Sequence, residues 1–244
     1  MKRLLCGPDG LTGRADAVFG SRLIPENIEL TLNSLGVKLI RLSPSKGISG
    51  ETRYHADTLV CCVKPGVWVC DPGVRAEYMN DLLIYGKTAL SNGYPSDCAY
   101  NCFVSDGIAY GGKNSDVVIK ESVESFTTVA QGYAKCSTVV LGSGRFITSD
   151  PSVAAALTNS GKEVLKISNG GIRLNGYSCG FIGGCTGVLA NNILAVLGKA
   201  ELLEDYSAIR DFCAGFGIKV ISLSEDPPYD YGGLLPVTEV VDYD

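Results

Sequence analysis

Three eight-residue stretches of this chain share one pattern. "GVKLIRLS" (36–43), "GKEVLKIS" (161–168) and "GIKVISLS" (217–224) each open with glycine, run through an apolar alternation and close with serine. The alternation predicts a strand with one buried face. Each stretch follows a segment of helical period. In "PENIELTLNS" and the leucine after it, Ile28, Leu32 and Leu35 share a face, with Pro25 in the first turn and Gly36 as the stop. "DPSVAAALTNSG" has Asp150 as N-cap, Pro151 in the first turn and Gly161 as the stop. "DYSAIRDFCAGFG" has Asp205 as N-cap, Ile209 with Phe212 or Cys213 facing inward, and Gly217 as the stop. These are ordinary helix start and stop signals. Two weaker copies lie between. "DPGVRAEYMNDLLIYGKTALS" predicts a helix and then a strand after Gly86, and "SDVVIKESVESFTTVA" predicts another helix and strand. The helix-to-strand joints fall near 36, 86, 124, 161 and 217, a repeat of about 45 residues.

Ahead of these helices the pattern changes to paired β-rich runs. "TLVCCVKPGVWVCDP", "CAYNCFVSDGIAYGG" and "CSTVVLGSGRFITSDP" each read strand, glycine-containing turn, strand, which is a hairpin signal. The unit is therefore strand, strand, helix, strand. "ADAVFGSRL" (15–23) is a strand leading into the first helix, and "YDYGGLLPV" (229–237) is a strand with no helix behind it. Together they complete one unit from the two ends of the chain and close a ring. The predicted fold is α/β: a five-fold pseudo-symmetric ββαβ propeller, strands around a central axis and helices outside. Residues 1–244 are expected to form a single domain.

Composition agrees with a large core: 45% of residues are hydrophobic and 19% charged, far from the balance of a disordered chain. The net charge of −5 is spread along the chain without a basic stripe, which argues against a nucleic-acid partner. No apolar run reaches membrane-spanning length. The basic start "MKRLLCGPDG" loses its apolar run at Gly7 and Pro8, unlike a signal peptide, so a cytoplasmic location is expected. Ten cysteines occur, none in a C-x-x-C pair, beside one histidine. Without an export signal a disulfide framework is not expected, and a single histidine removes most mixed zinc sites. No metal or cofactor is expected, and a small molecule is the expected ligand. Most of the thiols lie in apolar runs and read as small buried core residues.

The candidate chemistry starts from "RYHADTL", which holds the sole histidine, His55, two residues before Asp57. If this is a strand, the two side chains share a face. A structural imidazole and an edge or turn carboxylate are the plain alternatives. Cys136, in "GYAKCSTVV", follows Lys135, whose charge would favour a thiolate; one more buried strand cysteine is the plain alternative. "GFIGGCTG" (180–187) offers backbone amides that could cradle an anion, or else marks a tight strand crossing that needs glycine equally. Its Cys185 is a second candidate nucleophile. Lys64 and Arg145 sit beside hairpin turns and read as solvated.

With these stretches in hand, the chain resembles the pentein-fold guanidine-modifying enzymes: arginine deiminases, dimethylarginine dimethylaminohydrolases, agmatine deiminases and amidinotransferases. "HADTLVCCV" resembles the family's His-x-Asp strand, "YPSDCAYNCFV" with Asn101 and Cys102 resembles the strand one unit on, and "GYAKCSTVVL" resembles the strand bearing the catalytic cysteine. Through "QGYAKCSTVV", "ITSD" and "GFIGGCTG" nearly the whole chain is similar to an uncharacterised bacterial group assigned to the same fold. The unit order departs from that of the characterised enzymes. Here the His unit comes second and a full unit follows Cys136, which implies a circular permutation.

The resemblance implies a cysteine-dependent hydrolase or transferase acting on a small guanidine- or amidine-like molecule. Cys136 would be the nucleophile and His55 the general acid and base, with Asp57, Asn101 and Asp230 binding substrate. The family grips its planar cation with carboxylates from further units. "GFIGGCTG" has none, which leaves Asp230 in "YDYGGLLPV" as the candidate, while Asp226 lies ahead of two prolines in a loop. A non-catalytic pentein that binds a partner or small ligand at a degenerate site is the alternative.

Overall fold

The turns that make the hairpins are built by residues that tolerate positive φ. In Asp106-Gly107 and Ser143-Gly144 both residues are left-handed, with φ of 49°, 73°, 52° and 73°. That geometry matches the twist of two antiparallel strands. The computed structural model describes residues 1–241. Its elements in chain order begin with β1 (Lys2–Leu5), β2 (Arg14–Gly20), α1 (Glu26–Ser34), β3 (Lys38–Arg41) and a single helical turn α2 (Ala56–Leu59). β4 (Val60–Lys64), β5 (Val67–Cys70), β6 (Leu83–Tyr85), β7 (Phe103–Ser105), β8 (Ile108–Gly111), α3 (Val117–Ser122) and β9 (Ser125–Thr128) follow. Then come β10 (Thr138–Gly142), β11 (Arg145–Thr148), α4 (Pro151–Asn159) and β12 (Glu163–Lys166). The chain ends with β13 (Thr186–Ala190), β14 (Ile193–Val196), α5 (Tyr206–Ala214), β15 (Lys219–Ser222) and β16 (Leu235–Val241).

One pairing rule recurs through these strands. An antiparallel pair is followed by a third strand that returns parallel to the second. It holds for β4-β5-β6, β7-β8-β9, β10-β11-β12 and β13-β14-β15. The same rule holds for β16-β2-β3, in which the C-terminal strand supplies the first member. β1 adds an edge to β16, and one pairing, Ala190 with Arg14, joins the last two units into a seven-stranded sheet.

The helices stop where the sequence says they should. Gly36, Gly161 and Gly217 all have φ near +73°, the conformation that ends a helix at low cost only when glycine occupies it. Asp150 caps α4 by accepting from the backbone of Ser152 and Val153. Asp205 precedes α5 without capping it; its carboxylate accepts from Ser168 instead. Inward faces are Ile28 and Leu32 on α1, Val153 and Leu157 on α4, and Ile209 and Cys213 on α5.

Three expectations change. No α-helix forms between β5 and β6, and the third strand lies before Gly86. Met79 is left-handed at φ 63°, and the Asn80 side chain clamps the loop by bonding both the N–H and the carbonyl of Ala76. His55 and Asp57 are not on a strand: His55 precedes α2, and its carbonyl accepts from Thr58 and Leu59. Short apolar runs cannot separate a buried strand from a helical turn by period alone. Finally, residues 229–234 are loop, and β16 begins at Leu235. No helix of the described residues is long and apolar enough to cross a membrane.

Candidate functional site

The loop ahead of each unit's first strand delivers its residues to a shared place. His55, Asp57 and Thr58 come just before β4, Asn101 before β7, and Cys136 before β10. Gly183 and Gly184 precede β13, and Asp230 to Gly233 precede β16. Hydrogen bonds join these loops in a closed circuit. Asn101 Nδ2 donates to Thr58 Oγ1 at 3.4 Å, and Cys136 N donates to Asn101 Oδ1 at 3.0 Å. Gly183 N donates to Cys136 O at 2.7 Å, Gly233 N to Gly184 O at 2.7 Å, and Asp57 N to Gly232 O at 3.1 Å. Two glycines are required by close approach. A Cβ at Gly183 would collide with the carbonyl oxygens of Lys135, Thr138 and Cys136, and one at Gly184 with the Asp230 carboxylate.

Within this circuit Cys136 lies in a turn, two residues before β10. Asn101 holds that turn from both ends of its amide. Its Oδ1 accepts from the N–H groups of Lys135 and Cys136 at 2.8 and 3.0 Å, and its Nδ2 points at Cys136 Sγ at 2.8 Å. Thr58 Oγ1 lies 4.0 Å from the same sulfur. His55 Nδ1 lies 3.4 Å from Asp230 Oδ1. Asp230 also accepts from Phe181 N at 2.9 Å and Gly232 N at 3.0 Å. Within this group two buried atoms have no partner, His55 Nε2 and Asp57 Oδ2. Every one of these side chains is buried, Cys136 being the most exposed at 4%.

The electrostatics follow from that burial. The Cys136 thiol is held well above its ordinary range, first by burial and then by the charges of Asp57 and Asp230, against a smaller opposing effect of the Asn101 amide. Burial also raises the Asp230 carboxyl, and Asp57 adds to this, while His55 and the two N–H groups pull it down. Among the described residues no Lys or Arg forms an ion pair with Asp57 or Asp230. Asp230 meets only the His55 imidazole and Asp57 meets no charged partner, and buried carboxyl groups so placed favour a cation.

Several expectations move at this level. The ammonium of Lys135 donates to Thr138 O at 3.3 Å and does not meet the thiol. Lys135 also lines a separate cavity of about 90 Å³ to which all five first strands contribute, through Val60, Phe103, Val139, Thr186 and Leu235 among others. The amides of "GFIGGCTG" are not free for an outside anion: Phe181 N holds Asp230, Gly183 N holds Cys136 O, and Gly184 N and Cys185 N bond Phe181 O. Cys185 is fully buried and its thiol is also raised well above the ordinary range. Asn101 and Asp230 have their polar atoms taken by the protein, so of the three acceptors expected to meet substrate only Asp57 keeps an unpartnered oxygen. Thr58 belongs to the site although nothing in the sequence pattern singles it out; its signal is its position two residues before β4. The ten cysteines are all free thiols.

A model of a family of unknown function (DUF6873) matches residues 20–235. No curated protein matches the chain. Among solved structures, SxtG, an amidinotransferase from Microseira wollei in the saxitoxin biosynthetic pathway, is similar with a TM-score of 0.54 at 9% identity, covering 99% of this chain and 98% of that one. A His-to-Gly variant of dimethylarginine dimethylaminohydrolase in adduct with S-methyl-L-thiocitrulline gives 0.50 at 9% identity, covering 86% and 93%. An agmatine deiminase from C. jejuni gives 0.49 at 10% identity, covering 91% and 90%. The amidinotransferase and the dimethylarginine dimethylaminohydrolase are pentein-fold guanidine-modifying enzymes, and their likeness shows the fold alone.

Proposed function

Since the chain belongs to DUF6873, a family of unknown function, we propose an activity from its site: cysteine-dependent hydrolysis or group transfer on a small guanidine or amidine. The observation that carries this reading is the pair of unpartnered atoms, His55 Nε2 and Asp57 Oδ2, in a buried site that also holds the Asp230 carboxyl and the Cys136 thiol. A planar amidinium fits it: its N–H groups bond Asp57, and its charge neutralises the carboxylates that suppress thiolate formation. Binding thus activates the nucleophile.

His55 Nδ1 faces Asp230 Oδ1 at 3.4 Å, and proton transfer falls to Nε2, which has no protein partner. In the proposed sequence, Nε2 takes the thiol proton as sulfur bonds to the amidine carbon. The C–N bond to the leaving amine breaks, and the amine takes that proton from His55. A thiouronium-like adduct on Cys136 remains. Water, deprotonated by Nε2, or an acceptor amine adds to its carbon. The C–S bond then breaks, and the thiolate recovers the proton from His55. Asn101 fixes the turn and donates to the sulfur, which stabilises the thiolate at both ends of the cycle.

The same reading covers the whole chain. The recurring pairing rule, the closed circuit of loops and the cavity lined by all five first strands support a five-fold ring, as one domain with the site at one end of its axis. The test is a screen of alkylguanidines and amidines for ureido product or amine release. The wild type should turn over at least one of them, and Cys136→Ser and His55→Ala should not. A wild type that binds guanidines without ever modifying Cys136 would be a binding protein instead.

A further inference from the structure

The loops that carry the catalytic residues precede the first strands; the other ends of those strands carry the hairpin turns. The N-terminal loop, residues 6–13, lies across those turns. Gly66 N, in the β4-β5 turn, donates to Cys6 O at 3.2 Å. Asp106 N, in the β7-β8 turn, donates to Asp9 Oδ1 at 2.6 Å. Gly10 packs on Gly142 at the β10-β11 turn, so closely that a Cβ on Gly10 would meet Gly142 Cα at 2.7 Å. Asn191 N, in the β13-β14 turn, donates to Gly13 O at 2.9 Å. Glu239 of β16, a buried carboxylate, accepts from Thr12 N and Gly13 N at 2.8 and 2.6 Å. One loop thus touches all five units and closes that end.

The cavity of about 90 Å³ has this loop on one part of its wall, through Gly7, Pro8, Gly10 and Leu11, and Lys135, next to Cys136, on another. Much of the rest is apolar, through Val60, Val104, Val139 and Val188 among others. Two lining residues bring donors that the protein leaves underused. Trp68 is 3% exposed, and its Nε1 is buried with no acceptor. The Lys135 ammonium donates to Thr138 O at 3.3 Å, and among the described residues it pairs with no carboxylate. Its charge reaches the cavity wall: burial holds the thiol of Cys61, another lining residue, well above its ordinary range, and Lys135 pulls it down. A buried N–H without an acceptor and a cation without an anion are both costly, and one small anion relieves both.

We propose that this cavity binds a short-chain carboxylate, with its oxygens on the Lys135 ammonium and the Trp68 indole N–H and its carbon tail against the valines. Its volume of about 90 Å³ lies well under the roughly 150 Å³ of an engineered apolar cavity that takes benzene, so about four or five non-hydrogen atoms fit, as in acetate or propionate. This is a second ligand site. His55, Asp57, Cys136 and Asp230 do not line it, and the carboxylates Asp57 and Asp230 repel the same anion from the catalytic site. The inference stands whether or not the chain modifies guanidines.

Trp68 is the only tryptophan of the chain, so its fluorescence reports on the cavity without a label. At constant ionic strength, propionate should change the wild-type emission saturably. Propionamide, equal in size and neutral, should need about ten times the concentration. Lys135→Met, close in length and without charge, should bring the two ligands to the same midpoint. Val188→Phe, which fills the cavity, should abolish both responses. No saturable response of the wild type to propionate, equal midpoints for acid and amide, or a preference for the acid that survives Lys135→Met overturns the proposal. The comparison of acid with amide needs only the wild type, so it decides even where a variant folds poorly.

Discussion

Cys136 is where the charges of the site act most directly. Its thiol is raised by burial and by two carboxylates, so in the empty site it is protonated at neutral pH. Removing one carboxylate lowers the thiol's range. Asp57→Asn should therefore speed alkylation of Cys136 at pH 7 by about tenfold or more, since a thiol pKa lower by about one gives about ten times the thiolate. In the wild type the rate should still be climbing above pH 9. Mass spectrometry of the Cys136 peptide over a pH series checks both. Asp230→Asn keeps the shape but removes the negative charge that faces His55 Nδ1; turnover should fall about 100-fold or more with the imidazole as acid and base, with KM little changed. At this scale the sequence singled out the lone histidine and, through the resemblance, Cys136, and the structure brings their two loops together. The sequence did not expose which atoms are already occupied. Asn101 and Asp230 look like substrate ligands as letters; their bonds to the Cys136 turn and to His55 depend on loops 35 and 175 residues away along the chain.

At the scale of elements, the site is made by loops packed backbone to backbone. A methyl group at Gly183 would press on three carbonyl oxygens around Cys136, and backbone atoms cannot give way cheaply. Gly183→Ala should destabilise the fold by about 2–4 kcal/mol and should also slow labelling of Cys136 in the fraction that folds. Asp150→Ala, which removes the cap of α4, should cost about 1 kcal/mol and leave Cys136 labelling as it was. Chemical denaturation followed by labelling of the native protein separates the two. The helices α1, α4 and α5 and the hairpin turns were legible because each is specified locally, by a cap, a glycine stop or a positive-φ turn pair. The segment between β5 and β6 misled, because its apolar spacing is helical while Met79 and Asn80 fix a tight loop. The short α2 misled for the opposite reason: a single turn carries too few residues to show a period, and it is held by Gly232 from the far end of the chain.

For the molecule as a whole, burial of sulfur has a consequence for stability. The thiols of Cys6, Cys61, Cys62, Cys70, Cys98, Cys102, Cys136, Cys185 and Cys213 are all raised in the folded chain, Cys70, Cys98 and Cys102 to about 12 and Cys213 to about 11. The unfolded chain ionises them near the ordinary value of about 8.5. Above that pH the unfolded state binds fewer protons than the folded one, so stability falls as pH rises, up to about 1.4 kcal/mol per thiol for each step of one in pH. Tm, measured with reductant present, should be nearly flat from pH 7 to 8 and drop steeply between pH 9 and 11. The repeat was legible, since the same pairing rule recurs through the chain, while the meeting of its loops at one place depends on contacts no single repeat contains. The most direct measurement of the central claim uses a small amidine carrying a leaving group on the adjacent carbon. The exposed thiol, Cys179, serves as the internal control. Buried Cys136 should be alkylated faster than exposed Cys179, and a competing guanidine should protect it. Labelling of Cys179 ahead of an unreactive Cys136, at a rate no guanidine alters, would contradict a guanidine-modifying site here.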